Sequence, residues 1–498
     1  MSPNITLSWV LALAPEIALM VLLLLVLVYE KLFKVSDPRQ VGVFTAWGGL
    51  AVLVLTAALY WIFRQPDPAW GLGESAFWGG MIRNDLVTFV FRLMFLSALT
   101  LTALLSLDVP RLQKLEYYAL LITATIGFSL MAASTDLIMI YIALETASIS
   151  SYLLAGFYSG ERRSSEAGMK YFVYGAFTTA VMLYGMSLLY GMSTGQTNLY
   201  VIASVFRGDQ VAGVAPLLVL AAVLIVVGFA FKTSIVPYHF WAPDVYEGAP
   251  TPFTGFVSTA SKAAGFAVFL RVVLAGVFGP VSDNAEWWAM LVAMCIITMV
   301  LGNFVAIYQT NIKRLLAYSS VAQAGYALIG LVTLTQDGSG ATMFYLLMYV
   351  FTNIAAFGVI ILVSNATGAD DLKDLSGLNR RSPFLALVML FAVLSLGGIP
   401  PTAGFFGKFF LFKAAVDAGL WWLALIGILM AFVGLYYYLS IIKYMYLYRS
   451  EQDDVAIPVS RGARVGLAVA VVFIIYLGIS ANSAFELTRQ AALAFFPG

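Results

Sequence analysis

Apolar residues run along this chain in blocks of about twenty, separated by short clusters of charged, glycine and proline residues, and that one rhythm covers almost its whole length. A helix needs about 20 apolar residues to cross the hydrocarbon of a bilayer. Cutting at the polar gaps leaves fourteen such segments, near 8–29, 41–63, 85–107, 116–134, 136–158, 165–192, 214–246, 252–279, 286–308, 313–334, 340–364, 382–416, 420–448 and 461–482. Numbered in this order, helix 7 contains Pro237 and Pro243 and helix 12 contains Pro400 and Pro401, so both are expected to be broken. No β-barrel alternation is present, and a helix satisfies its own backbone in lipid. The fold class is therefore all-α, a polytopic membrane protein of about fourteen transmembrane helices. The first apolar run lacks the basic start of a cleavable signal and is read as the first helix.

Composition agrees: of 498 residues, 61% are hydrophobic and 11% charged, and the mean hydropathy is +0.91. A net charge of +1 offers no reason to expect a nucleic-acid partner. The single cysteine, Cys295, rules out an internal disulfide or a cysteine-based metal site. Charge sets the orientation instead. Every second loop is basic, carrying Lys31, Lys34 and Arg39; Arg111 and Lys114; Arg162 and Arg163; Lys313 and Arg314; Lys373, Arg380 and Arg381; Arg449, Arg461 and Arg464. The opposite loops hold only Arg64, Arg83, Arg207, Lys413 and Arg489. Basic loops stay on the cytoplasmic side, which puts both termini on the electrically positive, periplasmic side.

Charges left inside the helices carry the candidate chemistry. Glu145 falls at the centre of helix 5, Lys170 in helix 6, Lys232 in helix 7, Lys262 in helix 8 and Lys408 in helix 12. A charge at mid-bilayer costs roughly 2.5–3.5 kcal/mol on the insertion scale, so each needs a partner, water or loss of its charge. At an effective dielectric of about 20, a carboxylate roughly 6 Å from an ammonium is worth about 3 kcal/mol, or about 2 pKa units. Withdrawing that acid would release the proton. A buried glutamate and lysine on neighbouring helices thus make a proton switch, and broken helices at membrane depth point to an ion path.

The two halves resemble one another. "GFAFK" ends at Lys232 and "GFFGK" at Lys408, 176 positions on, while "SSYLLAG" and "AGYALIG" align Tyr152 with Tyr326 at an offset of 174. Five helices separate each pair, an odd number, so two inverted five-helix repeats, helices 4–8 and 9–13, are expected. The domain reading is residues 1–115 for three N-terminal helices, 116–279 for the first repeat, 286–448 for the second, and 449–498 for the last helix and tail.

The stretch "PYHFWAPDVYEGAPTP" resembles the signature of the antiporter-like membrane subunits of respiratory complex I and of multisubunit sodium/proton antiporters. "TGFVSTASKAAGF" and "GGIPPTAGFFGKFFLFKAAV" look like the branch found in proton-pumping NADH:quinone oxidoreductase. Its sister chains L and M typically carry histidine near the place of Lys262, and chain M an acid in place of Lys408. Some relatives have histidine where this chain has Gln323, so water is expected to serve there.

The resemblance implies a charge pair of Glu145 and Lys232 in a first half-channel, tuned by Lys170, a relay through Lys262, and Lys408 ending a second half-channel. It implies no cofactor in this chain, with FMN, iron–sulfur clusters and quinone in other subunits of a hetero-oligomer. Neighbouring chains M and K and membrane lipids are the expected partners, in a bacterial inner membrane.

Other readings stand beside this one. A subunit of a stand-alone sodium/proton antiporter would exchange ions without NADH or quinone, and a scaffold subunit would use the same charges as helix glue. Lys170 is near enough to the basic face to snorkel, as are Arg271 and Lys443 near helix ends. His239 is read as structural, Asp85 as an interfacial helix start, and Glu16 is left open. The tyrosines at 436–438 are read mainly as lipid-facing or packing residues.

Overall fold

The structure, a computed structural model, describes residues 7–32, 37–63, 76–206, 215–275, 285–450 and 455–496. Lys34, Arg64 and Arg207, used above for orientation, lie outside the described residues. Among the described residues, twelve helices are long and apolar enough to cross a membrane. They are helix 2 (Arg39–Phe63), 3 (Leu86–Ser106), 4 (Leu115–Ala133), 5 (Leu137–Ala155), 6 (Arg162–Met192), 7a (Ala215–Thr233), 9 (Ala285–Ile307), 10 (Ile312–Val332), 11 (Gln336–Thr367), 13 (Trp421–Leu447) and 14 (Arg461–Ile479), with helix 8 running Thr251–Leu274.

The other two expected crossings are also helical. Helix 1 (Ala14–Leu32) carries Glu16, Glu30 and Lys31, and helix 12 is split into Pro383–Gly397 (12a) and Ala403–Asp417 (12b). Helix 7 is likewise split, 7a being followed by Trp241–Gly248 (7b). Pro237 and the pair Pro400–Pro401 lie in the breaks, where a proline cannot donate a helical hydrogen bond, whereas Pro243 falls in the first turn of 7b, where none is needed. The only strands among the described residues are Ala76–Phe77 and Ile82–Arg83, a two-stranded antiparallel ribbon.

Loop-edge polar residues start the helices. Asp85, Asp136, Asn311 and Ser460 accept hydrogen bonds from backbone N–H groups of the first turns of helices 3, 5, 10 and 14, satisfying donors that would otherwise be orphaned in lipid. Helices 8, 10 and 11 form the axis of the bundle, each 94% buried over its most apolar window, whereas helix 13 is 28% buried and lies at the rim. The tail adds an element absent from the segment count, an amphipathic helix Ala481–Ala492 beside the start of helix 11. Arg489 there donates to Asp337 at 2.6 Å, and Gly340 lets the two backbones meet where a Cβ would collide with Arg489.

Arg271 does not snorkel. It is fully buried and its guanidinium clasps Asp85 with two hydrogen bonds of 2.9 and 2.7 Å. It also donates to Thr88 Oγ1 at 2.8 Å and to the Ala132 carbonyl at 2.6 Å. Asp85 is therefore both a helix start and a buried counter-ion, tying helix 3 and helix 4 to the end of helix 8. Glu16 is resolved in the same way: it accepts two 2.9 Å bonds from buried Arg92 and one from the Ser129 hydroxyl. The planar guanidinium fork matches a carboxylate at both oxygens, which is how such charges survive burial.

Removing one member of a buried pair leaves an uncompensated charge. Arg271→Leu should destabilise the chain by about 3–5 kcal/mol, while the double change D85L/R271L should cost much less. The amount of assembled protein in membranes and its thermal unfolding midpoint would register the difference.

Candidate functional site

Lys232 occupies the last turn of helix 7a, where the helix stops before Ser234. Its side chain, 1% exposed, crosses to helix 5 and donates to Ser148 Oγ at 3.0 Å, with the Phe128 ring 5.6 Å away. Gly265 on helix 8 makes room, since a Cβ there would press on the Lys232 stem. Glu145 lies one turn before Ser148 on helix 5 and is half-buried. The two charges face the same region but form no ion pair within 4 Å. Ser148 is the direct partner of the ammonium, and Glu145 acts on it through space.

Lys262 follows a π-helical turn, Val257–Ser261, inside helix 8. Such a turn displaces the side chains after it and is common at functional sites. The ammonium is 2% exposed and donates to the Ser320 carbonyl of helix 10 at 2.7 Å. Ser320 Oγ accepts from Tyr349 at 2.8 Å and lies 3.3 Å from the Tyr246 hydroxyl. His239, in the break of helix 7, is close enough to Lys262 to interact electrostatically. Its Nδ1, with Ser234 Oγ, Ser261 Oγ and Tyr171 Oη, is buried without a hydrogen-bond partner among the described residues. The stretch between Lys232 and Lys262 is thus polar rather than sealed.

Helix 10 carries the polar chain onward. Ser319 Oγ is 2.5 Å from the Tyr438 hydroxyl, which accepts from Gln323 Nε2 at 2.9 Å. Tyr345 donates to Gln323 Oε1, and Gln323 Nε2 also reaches the Leu396 carbonyl at 3.2 Å. That carbonyl accepts from Lys408 Nζ at 2.9 Å, and Gly397 O accepts from it at 3.2 Å.

These carbonyls are free because helix 12a ends at Gly397, leaving its last C=O groups without helical donors. The negative end of a helix dipole favours a cation there. The break thus builds the seat for the buried ammonium of helix 12b. Lys408 also sits 4.8 Å from the centre of the Tyr326 ring, whose hydroxyl accepts from Asn303 at 3.1 Å. At the place where relatives carry histidine, the Gln323 amide bridges Tyr438, Tyr345 and the Leu396 carbonyl. An amide orients its neighbours but does not take up a proton as imidazole does.

Two readings of the sequence become more definite here. Lys170 reaches carboxylates near the basic face. It pairs with Asp244 at 2.6 Å and Glu166 at 2.7 Å, and Arg314 joins the group through Asp244 and Glu247 at 2.8 Å each. These residues rim a cleft of about 260 Å³ on the basic-loop face, so Lys170 extends toward that face, as its position near the helix end allows. The tyrosines at 436–438 divide: Tyr436 is exposed, whereas Tyr437 and Tyr438 are buried and hydrogen-bonded.

Ser148 and Ser320 carried no sequence signal, because hydroxyls are common in membrane helices, and Gln323 was marked only by the resemblance. An internal offset would have found them: Ser320 and Gln323 stand 175 positions after Glu145 and Ser148. The same spacing recurs in packing. Gly127 meets the backbone at Ala147 as Gly302 meets that at Ala322, and Asp136 caps helix 5 as Asn311 caps helix 10.

Ser148→Ala should leave the Lys232 ammonium without its acceptor and lower stability by about 1–3 kcal/mol. Ser148→Thr, which keeps the hydroxyl, should restore most of the loss in the thermal midpoint.

Residues 134–434 match the family described as NADH:quinone oxidoreductase/Mrp antiporter, TM. The chain is 44% identical over 449 residues to NADH-quinone oxidoreductase subunit N of Moorella thermoacetica, covering 89% of this chain and 92% of that one. It is 41% identical over 514 residues to NAD(P)H-quinone oxidoreductase subunit 2 of a Synechococcus species, covering 98% and 94%. Among solved structures, a chain of respiratory complex I from Thermus thermophilus with bound aureothin superposes with a TM-score of 0.77 at 32% identity, covering 95% of this chain and 98% of that one. A chain of the Mrp complex from Dietzia shares the fold, with a TM-score of 0.80 at 22% identity over 99% and 98%.

Proposed function

The chain belongs to the NADH:quinone oxidoreductase/Mrp antiporter transmembrane family, and from that premise we propose that it is a proton-translocating membrane subunit of an NADH:quinone oxidoreductase. It is of the type called N in its relatives, and part of an enzyme whose redox chemistry lies in other subunits. FMN, iron–sulfur clusters and quinone belong to those subunits. This chain contributes transport, within a hetero-oligomer whose neighbours include chains of the M and K types. The membrane is the bacterial inner membrane, with both termini on the periplasmic side.

The observation that carries the reading is the row of three buried lysines, Lys232, Lys262 and Lys408, each held by a neutral oxygen rather than a carboxylate. A carboxylate would lock the ammonium, whereas a hydroxyl or carbonyl holds it only as long as it keeps its proton. In the proposed cycle Glu145 sets the charge felt by Lys232. A change arriving at Glu145 from the neighbouring subunit breaks an N–H bond of the Lys232 ammonium. Lys408 first releases its own proton beyond the chain's far side. Lys262 then passes its proton past Ser320 and Gln323 of helix 10 and Tyr438 of helix 13 to the Lys408 amine. The proton from Lys232 crosses the polar stretch to the Lys262 amine so vacated. Backbone carbonyls cannot pass a proton on, so the moving proton uses hydroxyls and water while the carbonyls seat the charge. Lys170, with Asp244 and Arg314, borders the basic-face mouth of the first half-channel.

The recurring 175-residue spacing of caps, close approaches and polar positions supports two repeats, 116–279 and 286–448, flanked by 1–115 and 449–498. Their inverted relation follows from the odd number of helices between equivalents.

Lys232→Ala and Glu145→Ala should each lower proton pumping by the assembled complex several-fold while artificial-acceptor NADH oxidation persists. Unchanged proton-to-electron ratios in both would sink the relay. Gln323→Leu should slow pumping by about tenfold, the effect of about 1.4 kcal/mol at the limiting step. Sodium/proton exchange independent of NADH would instead mark an antiporter.

A further inference from the structure

The basic-loop face carries a second cleft that the relay does not use. It is open, of about 650 Å³, and lies between the end of helix 13 and the connection from helix 11 to helix 12a. Lys373, Arg381 and Arg449 line it with a single carboxylate, Asp374, a net of two positive charges. Asp374 is already engaged, accepting from the Asp371 N–H at 2.7 Å. Arg381 is only 5% exposed, and among the described residues its guanidinium makes one hydrogen bond, from Nε to the Val455 carbonyl at 3.4 Å. Among the described residues no carboxylate lies within 4 Å of any of the three cations. A buried guanidinium is normally paired, so the described residues leave this cleft without an anion.

The surroundings say what kind of anion fits. Helix 13 is the least covered of the twelve spans. Its outer face, with Phe432 66%, Tyr436 63%, Leu439 50% and Leu447 73% exposed, runs down to the cleft. Tyr444 and Tyr448 line the cleft where that apolar face ends, in the manner of aromatic residues at a membrane interface. A soluble anion would need the charges but not the stripe. A phospholipid needs both, phosphate against the cations and acyl chains along the helix. Basic pockets between helices on the cytoplasmic side are suited to such headgroups.

We propose that this cleft binds the headgroup of an anionic phospholipid, its phosphate oxygens on Arg381, Arg449 and Lys373 and its acyl chains against the outer face of helix 13. The site is independent of the proton relay. It would secure the cytoplasmic end of helix 13, which abuts the turn Leu372–Leu375 and the short helix Leu378–Arg381.

The test uses the assembled complex in nanodiscs, with a photoactivatable phosphatidylglycerol or phosphatidylcholine probe and mass-spectrometric mapping of the labelled peptides. Phosphatidylglycerol should label the Tyr444–Ser450 region, phosphatidylcholine should not, and K373Q/R449Q, which removes two charge-assisted contacts, should lower labelling by at least about tenfold. Both positions are exposed, so that variant should still assemble.

Equal labelling by the two lipids, or by the variant and the parent, would overturn the proposal. Displacement of the probe by inorganic phosphate would make this a site for a soluble anion and equally overturn it. So would probe-independent cross-linking of the cleft to another subunit. Glu451, Asp453 and Asp454 follow in the sequence, outside the described residues. Labelling that appears only in E451Q/D453N/D454N would mean that the chain's own acids fill the cleft, again against the proposal.

Discussion

An ammonium or guanidinium inside an apolar bundle must find oxygen, and the kind of oxygen it finds decides what it can do. Arg271 and Arg92 find carboxylates, matched at both oxygens, and such a pair stays charged and fixed. Lys232, Lys262 and Lys408 find a hydroxyl or a backbone carbonyl instead. A lysine so held can give up its proton, since what remains is a neutral amine beside a neutral oxygen. The same physical demand therefore yields clasps in one place and carriers in another.

Supplying those oxygens is the work of irregular backbone. Helix 12 stops at Gly397, and the carbonyls of Leu396 and Gly397, no longer used within the helix, receive Lys408. Helix 7a stops after Lys232, and Ser148 from helix 5 completes the seat. In helix 8 the π turn before Lys262 precedes its reach to the carbonyl of Ser320. Each interruption costs hydrogen bonds that lipid could not replace, and each lies where protein surrounds it. Helices 8, 10 and 11, the most covered in the bundle, keep the polar chain away from the acyl phase.

The rim is built on the opposite principle. Helix 13 turns an apolar face outward and ends among cations at the interface, where bilayer and water both have claims on it. Glu145 stands between the two regimes: half-buried, without an ion-pair partner among the described residues, and beside the exposed Ile142 and Ile149. A carboxylate at the edge of an uncovered face is open to a neighbour's influence in a way that the enclosed lysines are not.

Segment lengths, the alternation of basic loops, the two proline breaks and the five intramembrane charges were all legible in the sequence. Each follows from a one-dimensional rule: how many apolar residues span a bilayer, where charge is tolerated, which residue cannot continue a helix. Partners were not legible, because they come from chain positions far apart. Position along helix 8 suggested that Arg271 snorkels, yet it meets Asp85, 186 residues away. Position left Lys170 open between tuning the charge pair and reaching the basic face, and its carboxylate partner Asp244, 74 residues on, came only with the packing. Gln323, Ser320 and Ser148 became site residues only when packing set their oxygens against buried nitrogens. The sequence by itself determined that charges lie within the membrane and that two helices break there; only the tertiary structure decided which oxygen each charge faces, since hydrogen bonds act over about 3 Å and depend on helices the chain reaches later.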